Sequence, residues 1–322
     1  MNLEEKIFAI NSPEEFNSVA LDVFRFQRDH CPVYGAFVSS LGRLEPTKFE
    51  EIPFLPISFF KSKDIIAKGC ETDLTFLSSG TTGMMRSKHL VASSTVYIRS
   101  FVNTYCKFIG HPEDQVILAL LPNYEEQGNS SLVYMVNHLI QLTGSPVSGF
   151  MLNELKEVKR SYDQAIQSGK KVVIFGVSYA LLDLAEIGTD LSLATVIETG
   201  GMKGRRKELT KEELHQKLVN GLGVTYVSSE YGMTELLSQA YSNKEGVFTC
   251  PNWMKVLCRD VNDPFHYVAE GKTGGINVID LANLYSCSFI ATQDLGRIEG
   301  HAFRIMGRFD NADLRGCNLM VE

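Results

Sequence analysis

The sequence predicts an α/β fold: a doubly wound, mostly parallel sheet covered by helices, followed by a smaller β region toward the C-terminal end. From about residue 94 to residue 227, short apolar runs of strand length alternate with segments of helical period, the pattern of parallel strands joined by helical crossovers. From Asn252 onward the periodicity shortens and glycines punctuate it, which indicates β ribbons. The 322 residues, 44% of them hydrophobic and without a Pro- or Ser-rich linker, suffice for one large core or two closely packed subdomains.

In chain order, residues 1 to about 50 read as mainly helical. Ser12-Pro13-Glu14-Glu15 supplies an N-cap, a first-turn proline and acidic residues beside the helix dipole. Ser93 to about Ile109 has helical spacing, Gln115 to Leu121 is an apolar strand ended by Pro122, and Ser130 to Leu142 is an apolar helix with hydroxyl caps. Lys171–Val177 and Ala194–Glu198 are further strands. Thr210 to Leu222 is a helix opened by a capping box of Thr210 and Glu213. Val224-Thr225-Tyr226-Val227 is a last apolar run before the ribbons.

Composition excludes several classes. The net charge of −7, from 38 acidic against 31 basic residues, argues against a general nucleic-acid binder. The start, Met1-Asn2-Leu3-Glu4-Glu5-Lys6, lacks the basic and apolar regions of a secretion signal. No apolar run approaches the roughly 20 residues that span a bilayer, so a soluble, cytoplasmic protein is expected. Seven cysteines without Cys-x-x-Cys spacing indicate neither a disulfide framework nor a zinc site.

Four segments carry groups that handle a nucleotide. Ser78-Ser79-Gly80-Thr81-Thr82-Gly83 combines two glycines, which free the backbone to converge its N–H groups on an anion, with four hydroxyl donors. It is not a Walker loop, because Met84, Met85 and Arg86 follow Gly83 where Lys-Ser/Thr would be needed. Ser229-Glu230-Tyr231-Gly232-Met233-Thr234-Glu235 follows the run Val224 to Val227 and is expected where that strand ends and a loop opens, the usual ligand edge of an α/β sheet. Thr292-Gln293-Asp294-Leu295-Gly296 is expected to place Asp294 in a turn after a strand from Ser286 to Ala291. Gly307-Arg308-Phe309-Asp310 follows closely. A carboxylate can bind both ribose hydroxyls, and an arginine fork can approach sugar or phosphate oxygens.

In type, order and spacing these segments resemble the adenylate-forming superfamily of acyl-CoA and aryl ligases. The wider context, Phe54-Leu55-Pro56-Ile57-Ser58-Phe59-Phe60-Lys61, Ser130-Ser131-Leu132-Val133-Tyr134-Met135, Gly200-Gly201-Met202-Lys203-Gly204-Arg205 and Leu314-Arg315-Gly316-Cys317, looks like its LuxE-like acyl-protein synthetase branch, over roughly residues 45 to 322. The resemblance implies ATP and magnesium as cofactors. Ser79 to Gly83 would hold the β- and γ-phosphates, with Ser78 opening the loop. Tyr231 in the Glu230-Tyr231-Gly232 turn would lie against adenine, and Thr234 near the α-phosphate. Glu235 would bind the metal, and Asp294, assisted by Arg308, the ribose. Gly200-Gly201 either lets backbone approach adenine or simply makes a turn.

The resemblance divides the chain into a core over residues 1–306, helical over residues 1–50 and β-rich over residues 252–306, and a hinge-like tail over residues 307–322. Only twelve residues follow Asp310, so the mobile domain and catalytic lysine of the larger relatives are expected to have no counterpart; Arg86 and Lys88 are the nearest substitutes in the phosphate loop. The expected reaction activates a carboxylic, fatty acid as acyl-AMP and transfers the acyl group to Cys317. Nine residue steps from Arg308 to Cys317 extend to at most about 30 Å, and neighbouring Arg315 favours the thiolate. Alternatives are transfer to CoA, as in phenylacetate-CoA ligases, and an ATP-binding module without catalysis. An acyl-accepting or reductase protein is the expected partner. Lys203, Arg205, Arg206 and Lys207 form a basic cluster that either docks such a partner or is a solvated loop. His89, His138, His215 and His301 fall in no catalytic motif. The acyl pocket is expected near Phe175-Gly176-Val177-Ser178-Tyr179.

Overall fold

The computed structural model describes residues 2–79, 85–122, 128–200, 209–242 and 245–309. Helices α1 (Leu3–Phe8), α2 (Pro13–His30) and α3 (Pro32–Ser40) open the chain, and Ser12 caps α2 by accepting from Glu15 N as its sequence requires. A short strand β1 (Leu55–Pro56) and helix α4 (Phe59–Ser62) lead to the hairpin β2 (Leu74–Leu77) and β3 (Lys88–Val91). Then come α5 (Ser94–Phe108), β4 (Gln115–Leu120), α6 (Ser131–Leu142), β5 (Gly149–Phe150), α7 (Leu155–Gln167), β6 (Lys171–Val177), α8 (Ser178–Glu186), β7 (Ala194–Thr199), α9 (Lys211–Leu222) and β8 (Val227–Tyr231). The capping box of Thr210 and Glu213 opens α9, and Gly223 at φ 72° ends it in the left-handed conformation that glycine adopts without strain. The ribbons are β9 (Ala240–Ser242), β10 (Phe248–Thr249), β11 (Met254–Arg259), β12 (Gly274–Asp280), β13 (Phe289–Glu299) and β14 (Ala302–Arg308).

Strands β5, β4, β6, β7 and β8 run parallel in that spatial order, and β9, β10, β14, β13, β12 and β11 continue the same sheet antiparallel. Every residue of β4 is buried. Because successive side chains point to opposite faces, both faces of the sheet are covered there. The N-terminal helices pack on the antiparallel half. Gln27 of α2, wholly buried, donates to the carbonyls of Asn283 and Leu284 and accepts from Ser288 N, while Phe24, Tyr34 and Phe54 surround Phe289.

Two expectations are corrected. The strand before the Tyr-Gly-x-Thr-Glu segment does not end at Val227 but runs on through Tyr231, so Ser229, Glu230 and Tyr231 are strand residues. Their polar groups find partners on neighbouring elements, which lets them sit inside a sheet. Asp294 is not in a turn after Ala291; it lies within β13, opposite Arg308 of β14. Aspartate disfavours strands, but β12 and β14 pair with β13 on either side and their ladders override that preference.

Buried Asp280, at the end of β12, anchors the loop that follows Glu235. Its Oδ2 accepts from Leu237 N at 2.7 Å and Ser238 N at 2.9 Å, and its Oδ1 from Ser238 Oγ at 2.5 Å. Asp280→Ala strands these buried donors and should lower unfolding stability by about 2–4 kcal/mol in a urea titration; Asp280→Asn, which keeps one acceptor, should cost less.

Candidate active site

Beyond the C-terminal ends of β7 and β8, where ligands of open α/β sheets bind, lies a cavity of about 510 Å³. Several elements reach it. Ser79 and Arg86 come from the connection between β2 and β3, Ser130 and Ser131 from the start of α6, Thr199 and Gly200 from the end of β7, and Glu230, Gly232, Met233 and Thr234 from β8 and its loop. Ser130 caps α6 by accepting from Val133 N, so this helix presents its N-terminus to the cavity.

Of the expected phosphate loop, Ser78 and Ser79 are described. Ser78 clamps the base of the connection: its hydroxyl accepts from Ser87 N at 2.8 Å, and its N–H donates to Ser87 O at 3.0 Å. Gly80, Thr81, Thr82 and Gly83 lie outside the described residues, as do Gly201, the basic cluster Lys203, Arg205, Arg206 and Lys207, and Cys317. Arg86 donates to the carbonyls of Ser78 and Leu77, and Lys88 pairs with Asp64 at 2.5 Å. Gly200 has φ 67°, a left-handed conformation that favours glycine. At Gly232 a Cβ would lie 2.3 Å from Glu230 Oε1, so a side chain there would displace that carboxylate.

The remaining predicted residues divide between the two faces of β8. Tyr231 packs edgewise against Phe303 at 5.4 Å, and its hydroxyl donates to Asp294 Oδ2 at 2.8 Å. Arg308 Nε stands 3.1 Å from Asp294 Oδ1 with most of its side chain exposed. Glu235 is nearly buried, and burial raises its pKa against a hydrogen bond from Ser87 and the charges of Arg308 and Lys61. Arg308 thus lies within electrostatic reach of both predicted carboxylates, which brings Tyr231, Glu235, Asp294 and Arg308 into one neighbourhood. Glu230 points the other way, into the cavity; Thr199 Oγ1 donates to its Oε2 at 2.5 Å, and burial pushes it up to about 7.

Several supporting residues were not singled out from sequence. His89 Nδ1 lies 2.8 Å from Thr234 O and its Nε2 lies 3.0 Å from Asn283 Oδ1, while Asn283 Nδ2 donates to Glu235 O at 2.8 Å. These contacts set the backbone that carries Thr234 and Glu235. Glu198, 2% exposed at the end of β7, gathers Lys211 and His215 of α9, Ser229 of β8 and Ser178 of α8. No sequence signal marks Glu198, since its partners come from three separate elements. Phe175 and Val177 are buried inside the sheet, and a Cβ on Gly176 would meet Leu181 at 2.8 Å. The cavity is instead lined on its apolar side by Tyr97, Leu132 and Met135.

Residues 10–322 match the LuxE acyl-protein synthetase family. The chain belongs to this family. A comparison with curated proteins returned no match. Among solved structures, the chain is similar to ATP-bound MatB from Rhodopseudomonas palustris, at 18% identity and a TM-score of 0.58 over 76% of this chain and 49% of MatB. A 2-hydroxyisobutyryl-CoA ligase in complex with 2-HIB-AMP and CoA aligns with 93% of this chain and 69% of its own length, at 14% identity and a TM-score of 0.67. The luciferase-like enzyme of the nonluminescent Zophobas morio mealworm aligns with 77% of this chain and 59% of its own, at 16% identity and a TM-score of 0.55. The chain therefore spans about half the length of MatB. At these identities the likeness establishes the fold, which is that of adenylate-forming enzyme cores.

The Glu198 cluster of this LuxE-family chain makes a pH-dependent contribution to stability. Burial pushes the Glu198 carboxyl up, but His215, Lys211 and Ser229 outweigh it and hold the group down at about 2, against an ordinary value of 4.5. A carboxyl depressed in the folded state stabilises above its unfolded value and loses that contribution as pH falls toward the folded one. Lys211→Met should therefore lower unfolding stability by about 1–3 kcal/mol at pH 7, and the gap to wild type in denaturant titrations should close as pH falls from 4.5 toward 2.

Proposed function

We propose that this chain activates a carboxylic acid with ATP, forming an acyl adenylate and releasing pyrophosphate, and then passes the acyl group to a protein thiol, with Cys317 as the acceptor. The observation that carries this reading is the gathering of Tyr231, Asp294, Arg308 and Glu235 around the Thr234 loop, beside a hydroxyl-lined cavity, in a member of the acyl-protein synthetase family. The ATP-bound and AMP-ester-bound proteins of the same fold support it.

In the first step a carboxylate oxygen of the acid attacks the α-phosphorus of ATP, a new P–O bond forms, and the bond to pyrophosphate breaks. Asp294 accepts from the ribose hydroxyls, and Tyr231 and Arg308 hold that carboxylate in place. Hydroxyls and N–H groups of the β2–β3 connection and the α6 N-terminus donate to phosphate oxygens as the pentacoordinate charge develops. Among the described residues no cluster of three or more acidic, histidine or cysteine side chains could hold a metal. Glu235, beside the Thr234 loop, would be the protein ligand of a magnesium ion, which keeps most of its other ligands as water and phosphate oxygens. When bound, that ion neutralises charge on the phosphates. In the second step the Cys317 thiolate attacks the acyl carbonyl, the thioester bond forms and AMP leaves with the anhydride electron pair.

No helix of the described residues is long and apolar enough to cross a membrane. The proposal places the enzyme in the cytoplasm, handing its acyl group to a reductase or another protein partner. A second reading, transfer to CoA, draws on the CoA-bound ligase of like fold.

Labelled acid and ATP separate these readings. Acid-stable, hydroxylamine-labile label on the polypeptide, lost in Cys317→Ala while pyrophosphate exchange persists, is the expected result; labelled acyl-CoA with unlabelled protein would favour the second. Carboxylate-dependent exchange should fall at least ~100-fold in Glu235→Gln. In Asp294→Ala the KM for ATP should rise about 10-fold or more. An absence of exchange with any acid would leave an ATP-binding module without catalysis.

A further inference from the structure

We infer that the acid activated here is a short one whose chain carries a hydrogen-bonding substituent, a hydroxyl or an amino group, and that Gln239 and Glu230 recognise it. This rests on the adenylation reading and narrows its substrate away from the fatty acid expected from sequence. Side chains alternate along a strand, so on β8 Tyr231 faces Asp294 and Arg308 while its neighbour Glu230 faces the cavity. The nucleotide-handling residues and the cavity-facing carboxylate are thereby separated by one step of the chain. Thr234 lines the same cavity as Glu230, which puts the reacting end of an acid near the loop and the rest of it against Glu230 and Gln239.

Gln239 leads into β9, the strand that pairs with β8. It is 5% exposed and lines the cavity, and its buried Oε1 has no hydrogen-bond partner among the described residues. Buried amides are rarely left so. Glu230, 8% exposed, takes only the Thr199 hydroxyl, on Oε2, among the described residues, and its Oε1 lies over Gly232 where any side chain would displace it. Tyr97, Leu132 and Met135 line the same cavity. A plain alkyl chain would cover the Gln239 amide and the Glu230 carboxyl without giving either a partner. A hydroxyl serves both, since it donates and accepts and so suits Glu230 in either protonation state; an amine donates to both oxygens. Glu230 titrating near 7 agrees with a carboxyl able to meet either. Ser79 and Arg86 line the same cavity of about 510 Å³, so phosphates and acid share its volume, which favours a short chain.

The test is ATP–pyrophosphate exchange by the full chain with matched acids: butyrate, 3-hydroxybutyrate, 4-hydroxybutyrate and 4-aminobutyrate, with octanoate and myristate alongside. A hydroxyl- or amino-bearing acid should exceed its parent by at least ~100-fold in kcat/KM, because a site built around polar groups rejects an analogue that leaves them unpaired. The hydroxyl and amino arms tell the two substituents apart. In Gln239→Leu, or in the closer isostere Gln239→Met should the first not fold by thermal unfolding, the ratio should shrink about 10-fold, with the parent acid gaining. Loss of the ratio itself, rather than of overall rate, distinguishes recognition from a structural role. Octanoate or myristate used as well as the substituted acids, or a ratio unchanged in both Gln239 variants and in Glu230→Gln, would overturn the inference while leaving adenylation standing. No exchange with any acid would defeat both.

Discussion

The site depends on one buried charge. Glu198, at the end of β7, is a carboxylate that the interior would expel if it were alone, and it stays because α8, α9 and β8 each bring it a donor. That requirement ties four elements to one point. Ser178 also donates to Gly200 O at 2.6 Å, so the place where the chain leaves β7 is set by the same cluster. Replacing a buried charge by apolar packing is often neutral for stability, whereas removing one partner is costly. In this fold the cluster does something packing could not: it orients the strand ends from which Gly200, Thr199 and Glu230 meet the cavity.

A second constraint is the two-faced character of β8. One face sends Tyr231 into an aromatic cluster with Phe248 and Phe303 and onto Asp294. The other sends Glu230 toward Thr199 and into the cavity that Gln239 also lines. Between the strand and Glu235 the chain turns at Gly232, and its carbonyls are held from outside by His89 and Asn283. The loop is therefore supported by groups that belong to β3, β12 and the connection after β12. Burial keeps His89 down at about 4 while its two oxygen contacts pull it upward. A ring so placed serves the loop's geometry and has no opening to solvent.

The antiparallel half supplies what the parallel half cannot. A parallel sheet ends its strands in loops, but β13 and β14 carry Asp294 and Arg308 side by side on a ladder, at a fixed register. The bulge between Leu295 and Gly296 leaves this pair beside the Tyr231 hydroxyl. The N-terminal helices, through Gln27, Phe24 and Tyr34, together with Phe54 just before β1, brace the connection from β12 to β13 from behind.

Much of this was legible in the residues. Caps such as Ser12 and the Thr210–Glu213 box, and the apolar runs of β4, β6 and β7, are local signals, and local signals act whatever the rest of the chain does. Tyr231, Thr234, Glu235, Asp294 and Arg308 were likewise readable as types in an order. What sequence could not decide was where polar residues can be strand: Ser229, Glu230 and Asp294 read as loop or turn because their partners lie far along the chain. Glu198, Asp280, His89 and Gln239 were silent for the same reason. Each matters only through groups that folding brings beside it, or, for Gln239, through the partner that folding leaves out, and that pairing of distant groups is a property of the packed structure alone.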